Sequence, residues 1–143
     1  MGMRARGVDS RAPMKLHYQE LGLGAVSVSI PNAFDFKSHF RGAVVGVQLS
    51  ASTVVASGTI QVVITDLTTG IVLLNTGALT VPMANPYTAE VFASGISFLP
   101  PTDSQLDQLP LISQGNNLEI DVIVGGGLSV TNLIIMPEYM GRE

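Results

Sequence analysis

The segment from Thr59 to Gly77, TIQVVITDLTTGIVLLNTG, restricts the fold more than any other part of the chain. Apolar side chains at every second position, Ile60, Val62 and Ile64, predict a strand with one buried face. The residues from Asp66 to Gly70 are typical of a turn, because Asp bonds nearby backbone and Gly accepts positive φ. The return strand, Ile71 to Leu74, is apolar on both faces, so the pattern predicts a β-hairpin that is covered on both sides.

The same alternation recurs along the chain and predicts an all-β protein. It is clearest from Leu118 to Val124, and Gly125 to Gly127 then predicts a hairpin turn. We expect about eight short strands in an antiparallel β-sandwich with a jelly-roll-like arrangement; another sandwich or a small barrel is also compatible with the pattern. One short helix is predicted within PPTDSQLDQLP, where Thr102 and Gln105 have the spacing of a capping box.

Charged residues make up 13% of the 143 residues, about half the usual fraction of roughly 25%. Asp66 is the only charged residue from Gly42 to Ala89. A transmembrane helix is not expected, because it needs about 20 consecutive apolar residues and the chain has no such run. The charge-poor sequence therefore indicates a surface covered by other protein.

The first 15 residues differ from the rest, since they contain Arg4, Arg6, Arg11 and Lys15 but only one acidic residue. We predict an extended basic arm over residues 1–20 and a single β-sandwich domain over residues 21–143. The segment is interpreted either as a loose terminus or as an arm that contacts an acidic neighbour. Four basic residues are few for binding nucleic acid, which is not an expected partner.

No catalytic, cofactor-binding or metal-binding motif is present, so we expect no enzyme activity, no cofactor and no small-molecule substrate. The two histidines, His17 and His39, lie on different segments, and the chain contains no cysteine. Glu119 with Asp121, and Asp103 with Asp107, are two pairs of carboxylates that could bind calcium. Neither pair alone provides the six to eight oxygens that calcium binds.

Two groups of side chains are predicted to contact protein partners. The segment FDFKSHF contains Phe34, Phe36 and Phe40, which we expect to plug the core or to anchor a partner; a stacking platform for single-stranded nucleic acid is the alternative. Val72 and Leu74 form the second apolar face of their strand and are predicted to mediate self-association as a homodimer or homotrimer.

The hairpin pattern V-x-I-T-D-x-x-T-G-x-x-L, from Val62 to Leu73, and the closing L-I-I-M-P-E-Y, from Leu133 to Tyr139, resemble jelly-roll cement or decoration proteins of tailed-bacteriophage capsids. This resemblance implies a homo-oligomer on the outside of an icosahedral shell, assembled in the host cytoplasm. Its arm would contact the major capsid protein through the basic residues Arg4, Arg6, Arg11 and Lys15. The alternative is a monomeric ligand-binding or adhesive β-sandwich module of a bacterial protein.

Overall fold

The computed structural model describes residues 14–142, which form eleven strands and one short helix. In chain order these elements are β1 (Lys15–Tyr18), β2 (Leu21–Val26), β3 (Ile30–Lys37), β4 (Arg41–Ala51), β5 (Thr53–Ala56), β6 (Gly58–Asp66), β7 (Ile71–Asn75), β8 (Leu79–Val81), β9 (Tyr87–Phe92), α1 (Asp103–Leu106), β10 (Asn117–Gly125) and β11 (Ser129–Arg142).

The strands form two antiparallel sheets. In the first, β11 pairs with β1 and β2 on one side and with β4 and β5 on the other, and β9 pairs with β4. In the second, β10 lies between β3 and β6, and β7 and β8 both pair with β6. β1 and β2 share one position beside β11, β4 and β5 share the position on its other side, and β7 and β8 share one position beside β6. The eleven strands therefore occupy eight positions, four in each sheet, in a jelly-roll arrangement of two Greek keys.

The hydrophobic core lies between the two sheets. Leu49 of β4 and Ile135 of β11 pair within the first sheet, and Ile64 of β6 and Ile120 of β10 pair within the second. All four side chains are buried in one cluster. The period-two alternation arises because successive side chains of a strand point to opposite faces of its sheet.

Several predictions from the sequence are confirmed. The sandwich is all-β, and Gly125 to Gly127 lead from β10 to β11 as a turn. Before α1, Thr102 Oγ1 accepts a hydrogen bond from Gln105 N at 3.2 Å, and Gln105 Oε1 accepts one from Thr102 N at 2.8 Å, which completes the capping box. None of the described helical residues forms a span long and apolar enough to cross a membrane.

Other expectations differ from the structure. The alternating residues Val26, Val28 and Ile30 do not form one strand, because β2 ends at Val26 and β3 begins at Ile30. Proline commonly ends a strand, but β11 continues through Pro137 to Arg142. Lys15–Tyr18 were assigned to the arm, yet they pair with Glu138–Gly141 of β11, so the first sheet begins before the predicted domain boundary at residue 21.

Candidate functional site

The basic side chains predicted to contact a partner are only partly described by the structure. Arg4, Arg6 and Arg11 lie outside the described residues. Lys15 is the first residue of β1 and is exposed to solvent. β1 occupies an edge position beside β11 in the first sheet.

The charge-poor stretch from Gly42 to Ala89 exposes no charged side chain. Its only charged residue, Asp66, has 0% of its surface exposed. Asp66 Oδ1 accepts hydrogen bonds from Thr68 N at 3.0 Å and Thr69 N at 3.4 Å, while Asp66 Oδ2 accepts one from Asn116 Nδ2 at 2.8 Å. The carboxylate therefore holds the β6–β7 turn together and contributes nothing to the charge of the outer surface.

Three exposed apolar side chains lie at the end of the β6–β7 hairpin: Leu67, Ile71 and Val72. We call them the hairpin patch. They belong to a turn and to β7, which is an edge strand of the second sheet. Because exposed edge strands and apolar patches commonly pair with other protein, this patch is a candidate interaction surface.

The fold exposes only one of the two residues that were predicted to mediate self-association, Val72 and Leu74. Val72 is 51% exposed, but Leu74 is only 5% exposed and belongs to the core. The register places Ile64 opposite Leu74 and Thr65 opposite Val72, so β7 contains one extra residue, Leu73. This bulge turns both Leu73 and Leu74 inward, and the assignment of Leu74 to an outer face was wrong for this reason. Self-association itself stays a prediction.

The first part of the phenylalanine segment, Phe34 to Lys37, forms the second half of β3. Phe34 and Phe36 pair with Ile120 and Leu118 of β10, and both rings are half-buried against the core. Phe40 is the last residue of the β3–β4 connection and is buried, so it is not an exposed anchor for a protein partner. The segment therefore fills the core, as one of the two interpretations of the sequence expected.

A small cleft opens where β1 lies near the end of β3. Its volume is about 220 Å³. The rings of Phe36, Phe40, Tyr139 and His17 form part of its lining. Phe40 lies 4.5 Å from Tyr139 and 6.3 Å from His17, measured between ring centroids, and the imidazole is nearly parallel to the Phe40 ring.

Polar groups complete the lining of this cleft. Lys37, His39 and Gln19 are exposed residues at the cleft. The Tyr139 hydroxyl donates a hydrogen bond to Gln19 Oε1 at 2.9 Å, and burial raises the pKa of Tyr139 to about 12. The buried Nε2 atom of His17 has no hydrogen-bond partner among the described residues. Within residues 14–142, no carboxylate lines the cleft.

A pair of glutamates, Glu90 and Glu138, lies on the first sheet, and Glu138 is next to Tyr139 of the cleft. Gln48 Nε2 donates hydrogen bonds to Glu90 Oε1 at 3.1 Å and to Glu138 Oε2 at 3.4 Å. Glu138 is 1% exposed, and its Oε1 atom has no partner in the described part of the chain. Burial, and then the neighbouring Glu90, raises the pKa of Glu138 to about 8, against the smaller opposing effect of the Gln48 hydrogen bond.

Of the carboxylates considered as calcium ligands, Glu119 and Asp121 lie close to each other on β10. Glu119 and Asp121 share a strand with a half-buried pattern, and Asp35 pairs with Glu119 across β3 and β10. Desolvation, and then the charges of Asp121 and Asp35, raises the pKa of Glu119. Across residues 14–142 no group of three or more His, Asp or Glu side chains is placed to hold a metal ion.

The sequence singled out Phe36 and Phe40 but not Tyr139 or Gln19 of the same cleft, and not the glutamate pair. His17 pairs with Tyr139 in the register of β1 and β11, although more than a hundred residues separate them. The sequence signal was the pair Glu138 and Tyr139, which directly follows the apolar run Leu133 to Met136 and Pro137.

Comparisons with known proteins give only weak structural similarities. No protein-family model matches the chain, and no curated protein matches it by sequence. A chain of Bacillus endospore appendages, described as a novel family of disulfide-linked pili, has a TM-score of 0.40 and 7% identity over 93% of this chain and 92% of that chain. A chain of infectious bursal disease virus Gx strain has a TM-score of 0.42 and 10% identity over 89% of this chain. This chain spans 31% of the viral chain. These similarities are too low to assign a function.

Proposed function

We propose that this protein is a structural component of a virion, which decorates the outside of an icosahedral shell and clamps neighbouring coat subunits. The observation that carries the proposal is the surface of residues 42–89, which exposes no charged side chain because Asp66 is buried. Permanent interfaces are depleted of charge at their centre and enriched in apolar contacts. The proposed role is structural and not enzymatic, and assembly would occur in the host cytoplasm.

The hairpin patch supplies the proposed contact between copies. Leu67, Ile71 and Val72 are exposed on and beside the edge strand β7, and residues 42–89 expose no charged side chain. A second copy that covered these side chains would remove apolar surface from water. The proposed assembly is a homodimer or homotrimer.

The basic arm supplies the proposed contact with the major capsid protein. Residues 1–15 have a net charge of +3, whereas the whole chain has −4. Arg4, Arg6, Arg11 and Lys15 would pair with acidic coat surface. Simultaneous contact by the arms of several copies raises the effective concentration of each arm and makes release from the shell rare.

The self-association step is tested by light scattering of the full-length protein at about 50 μM, a concentration well above the micromolar dissociation constants of weak complexes. We expect a dimer or trimer, and we expect Val72→Asp to convert it into a monomer. Val28→Asp is the matched control, because Val28 is also exposed but lies in the β2–β3 connection. A monomeric wild-type protein, or equal masses for all three proteins, would refute the self-association step.

The arm contact requires assembled shells. A variant with Arg4, Arg6 and Arg11 changed to Glu should leave the fold intact and lose most of its binding to shells in a sedimentation assay. The corresponding Gln variant should retain intermediate binding, because it removes attraction without adding repulsion. Unchanged shell occupancy of the Glu variant would contradict the proposed role of the arm.

The second candidate is a monomeric ligand-binding or adhesive module. The aromatic cleft between β1 and β3 favours it, because ligand sites are concave and combine apolar rings with a few polar groups. This candidate predicts a monomer whose melting temperature rises when a ligand is added.

A further inference from the structure

The cleft between β1 and β3 has a rigid, aromatic interior. Phe40 and Tyr139 are buried, and their rings contact each other at 4.5 Å between centroids. The imidazole of His17 stacks on the ring of Phe40, with an interplanar angle of 17°. Because these rings are already packed against each other and the core, the walls are preorganised for a planar apolar group.

The size of the cleft limits what it can hold. Its volume is about 220 Å³. A cavity of about 150 Å³ accommodates benzene. The cleft therefore has room for one aromatic ring with a short polar substituent, and it is too small for most drug-sized molecules, whose sites occupy about 300–1,000 Å³.

The polar lining indicates the charge of that substituent. Lys37 contributes an ammonium group, His39 a second basic side chain, and Gln19 an amide, while no carboxylate of residues 14–142 lines the cleft. His17 Nε2 is buried and has no hydrogen-bond partner among the same residues. An anionic oxygen would find donors in the lining from Lys37 and Gln19.

We infer that this cleft is a binding site for a small aromatic carboxylate, with the ring against Phe36 and Phe40 and the carboxylate towards Lys37. The site is separate from the hairpin patch, which lies on β7 at the opposite side of the second sheet from β3. Ligand binding would therefore be compatible with either oligomeric state of the chain.

The first experiment compares three probes of similar size by NMR titration of the ¹⁵N-labelled full-length protein. Phenylacetate should shift the amide signals of residues around the cleft and bind about tenfold more tightly than phenethylamine, because the charge is reversed on a similar frame. Cyclohexylacetate should also bind more weakly than phenylacetate, because it keeps the charge but its saturated ring has no flat aromatic face to pack against the aromatic side chains. Equal binding of all three probes, or no saturable binding of phenylacetate, would overturn the inference.

The second experiment uses a matched pair of lysine variants. Lys37→Met should weaken phenylacetate binding about threefold, the size expected for an exposed ion pair, and Lys15→Met should leave it unchanged. Lys15 is also exposed and lies on β1, but it does not line the cleft. An equal loss in both variants would assign the effect to net charge and reject the site. The masses measured by light scattering are independent of these titrations, so the inference and the proposed function can fail separately.

Discussion

Glu138 lies so close to Gly46 that a Cβ atom on residue 46 would come within 2.8 Å of Glu138 Oε1. The two residues pair in the register of β11 and β4, and the missing side chain at position 46 gives the space in which the carboxyl group is buried. The ring of Phe92 approaches the same position, at 3.5 Å from the hypothetical Cβ. The fold thus contains a carboxyl group in a nearly dry slot, with Glu90 and Gln48 as its polar neighbours.

The buried carboxyl group predicts that stability falls with rising pH. In the folded protein the pKa of Glu138 is raised from the ordinary value of 4.5 to about 8. The neutral form is therefore favoured by folding, and its stabilisation is complete below pH 4.5 and is lost as the pH rises through 8. We expect this site to lower the free energy of unfolding by at most about 1.4 kcal/mol per pH unit in that window.

Urea unfolding between pH 5 and pH 8.5 measures this effect, with Glu138→Gln as the test variant. The variant should lose the part of the pH dependence that Glu138 contributes, and it should be more stable than wild type at the alkaline end. Glu20→Gln is the control, because Glu20 is exposed and should leave the curve unchanged. Identical pH profiles for wild type and Glu138→Gln would contradict the prediction.

The bulge in β7 predicts opposite behaviour for two neighbouring aliphatic residues. Leu74→Ala removes a buried side chain and should lower the free energy of unfolding by about 2–5 kcal/mol. Val72→Ala removes an exposed side chain and should change it by no more than about 0.5 kcal/mol. Denaturation at low protein concentration, where the chain is monomeric, separates this effect from self-association. A large loss for Val72→Ala in the monomer would show that the outward assignment of Val72 is incorrect.

Local alternation was sufficient to predict the hairpin and β10, because each of these strands buries one face. It could not predict the bulge at Leu73, which is defined only by the pairing of β7 with β6. Nor could it predict the continuation of β11 through Pro137, because proline usually ends a strand, whereas here an irregularity follows directly, between Glu138 and Tyr139.

The candidate cleft was less accessible to sequence reasoning than the fold. Phe36 and Phe40 were singled out by their composition, but their partners His17 and Tyr139 come from the two ends of the chain. The sandwich brings these residues together through pairing of the first and last strands. The proximity of His17 to Tyr139 is therefore determined by the strand topology and not by the spacing of residues along the sequence.

The buried Asp66 predicts a measurable coupling across the β6–β7 turn. Asp66→Ala leaves Thr68 N and Asn116 Nδ2 without their acceptor and should lower the free energy of unfolding by about 1–3 kcal/mol. Asn116→Ala should have a smaller effect, because the two backbone donors to Asp66 remain. Urea unfolding of both single variants and the double variant should give a coupling energy of at least about 0.5 kcal/mol. Additive effects would mean that the 2.8 Å contact between these side chains does not contribute to stability.

The Tyr139 phenol provides a test of the packing around the cleft. Burial raises its pKa from 10.0 to about 12, so the neutral phenol is favoured by folding, and its stabilisation is lost as the pH rises from 10 through 12. Spectrophotometric titration after a rapid pH jump, before unfolding, should show one tyrosine ionising near pH 12. Tyr139→Phe should remove this step and, by loss of the hydrogen bond to Gln19, cost about 0.5–1.5 kcal/mol at neutral pH. Tyr18→Phe, at an exposed position of the same cleft, should retain the step. If Tyr139→Phe also retained it, the step would belong to another tyrosine, such as Tyr87, whose pKa burial also raises, and its assignment to Tyr139 would be wrong.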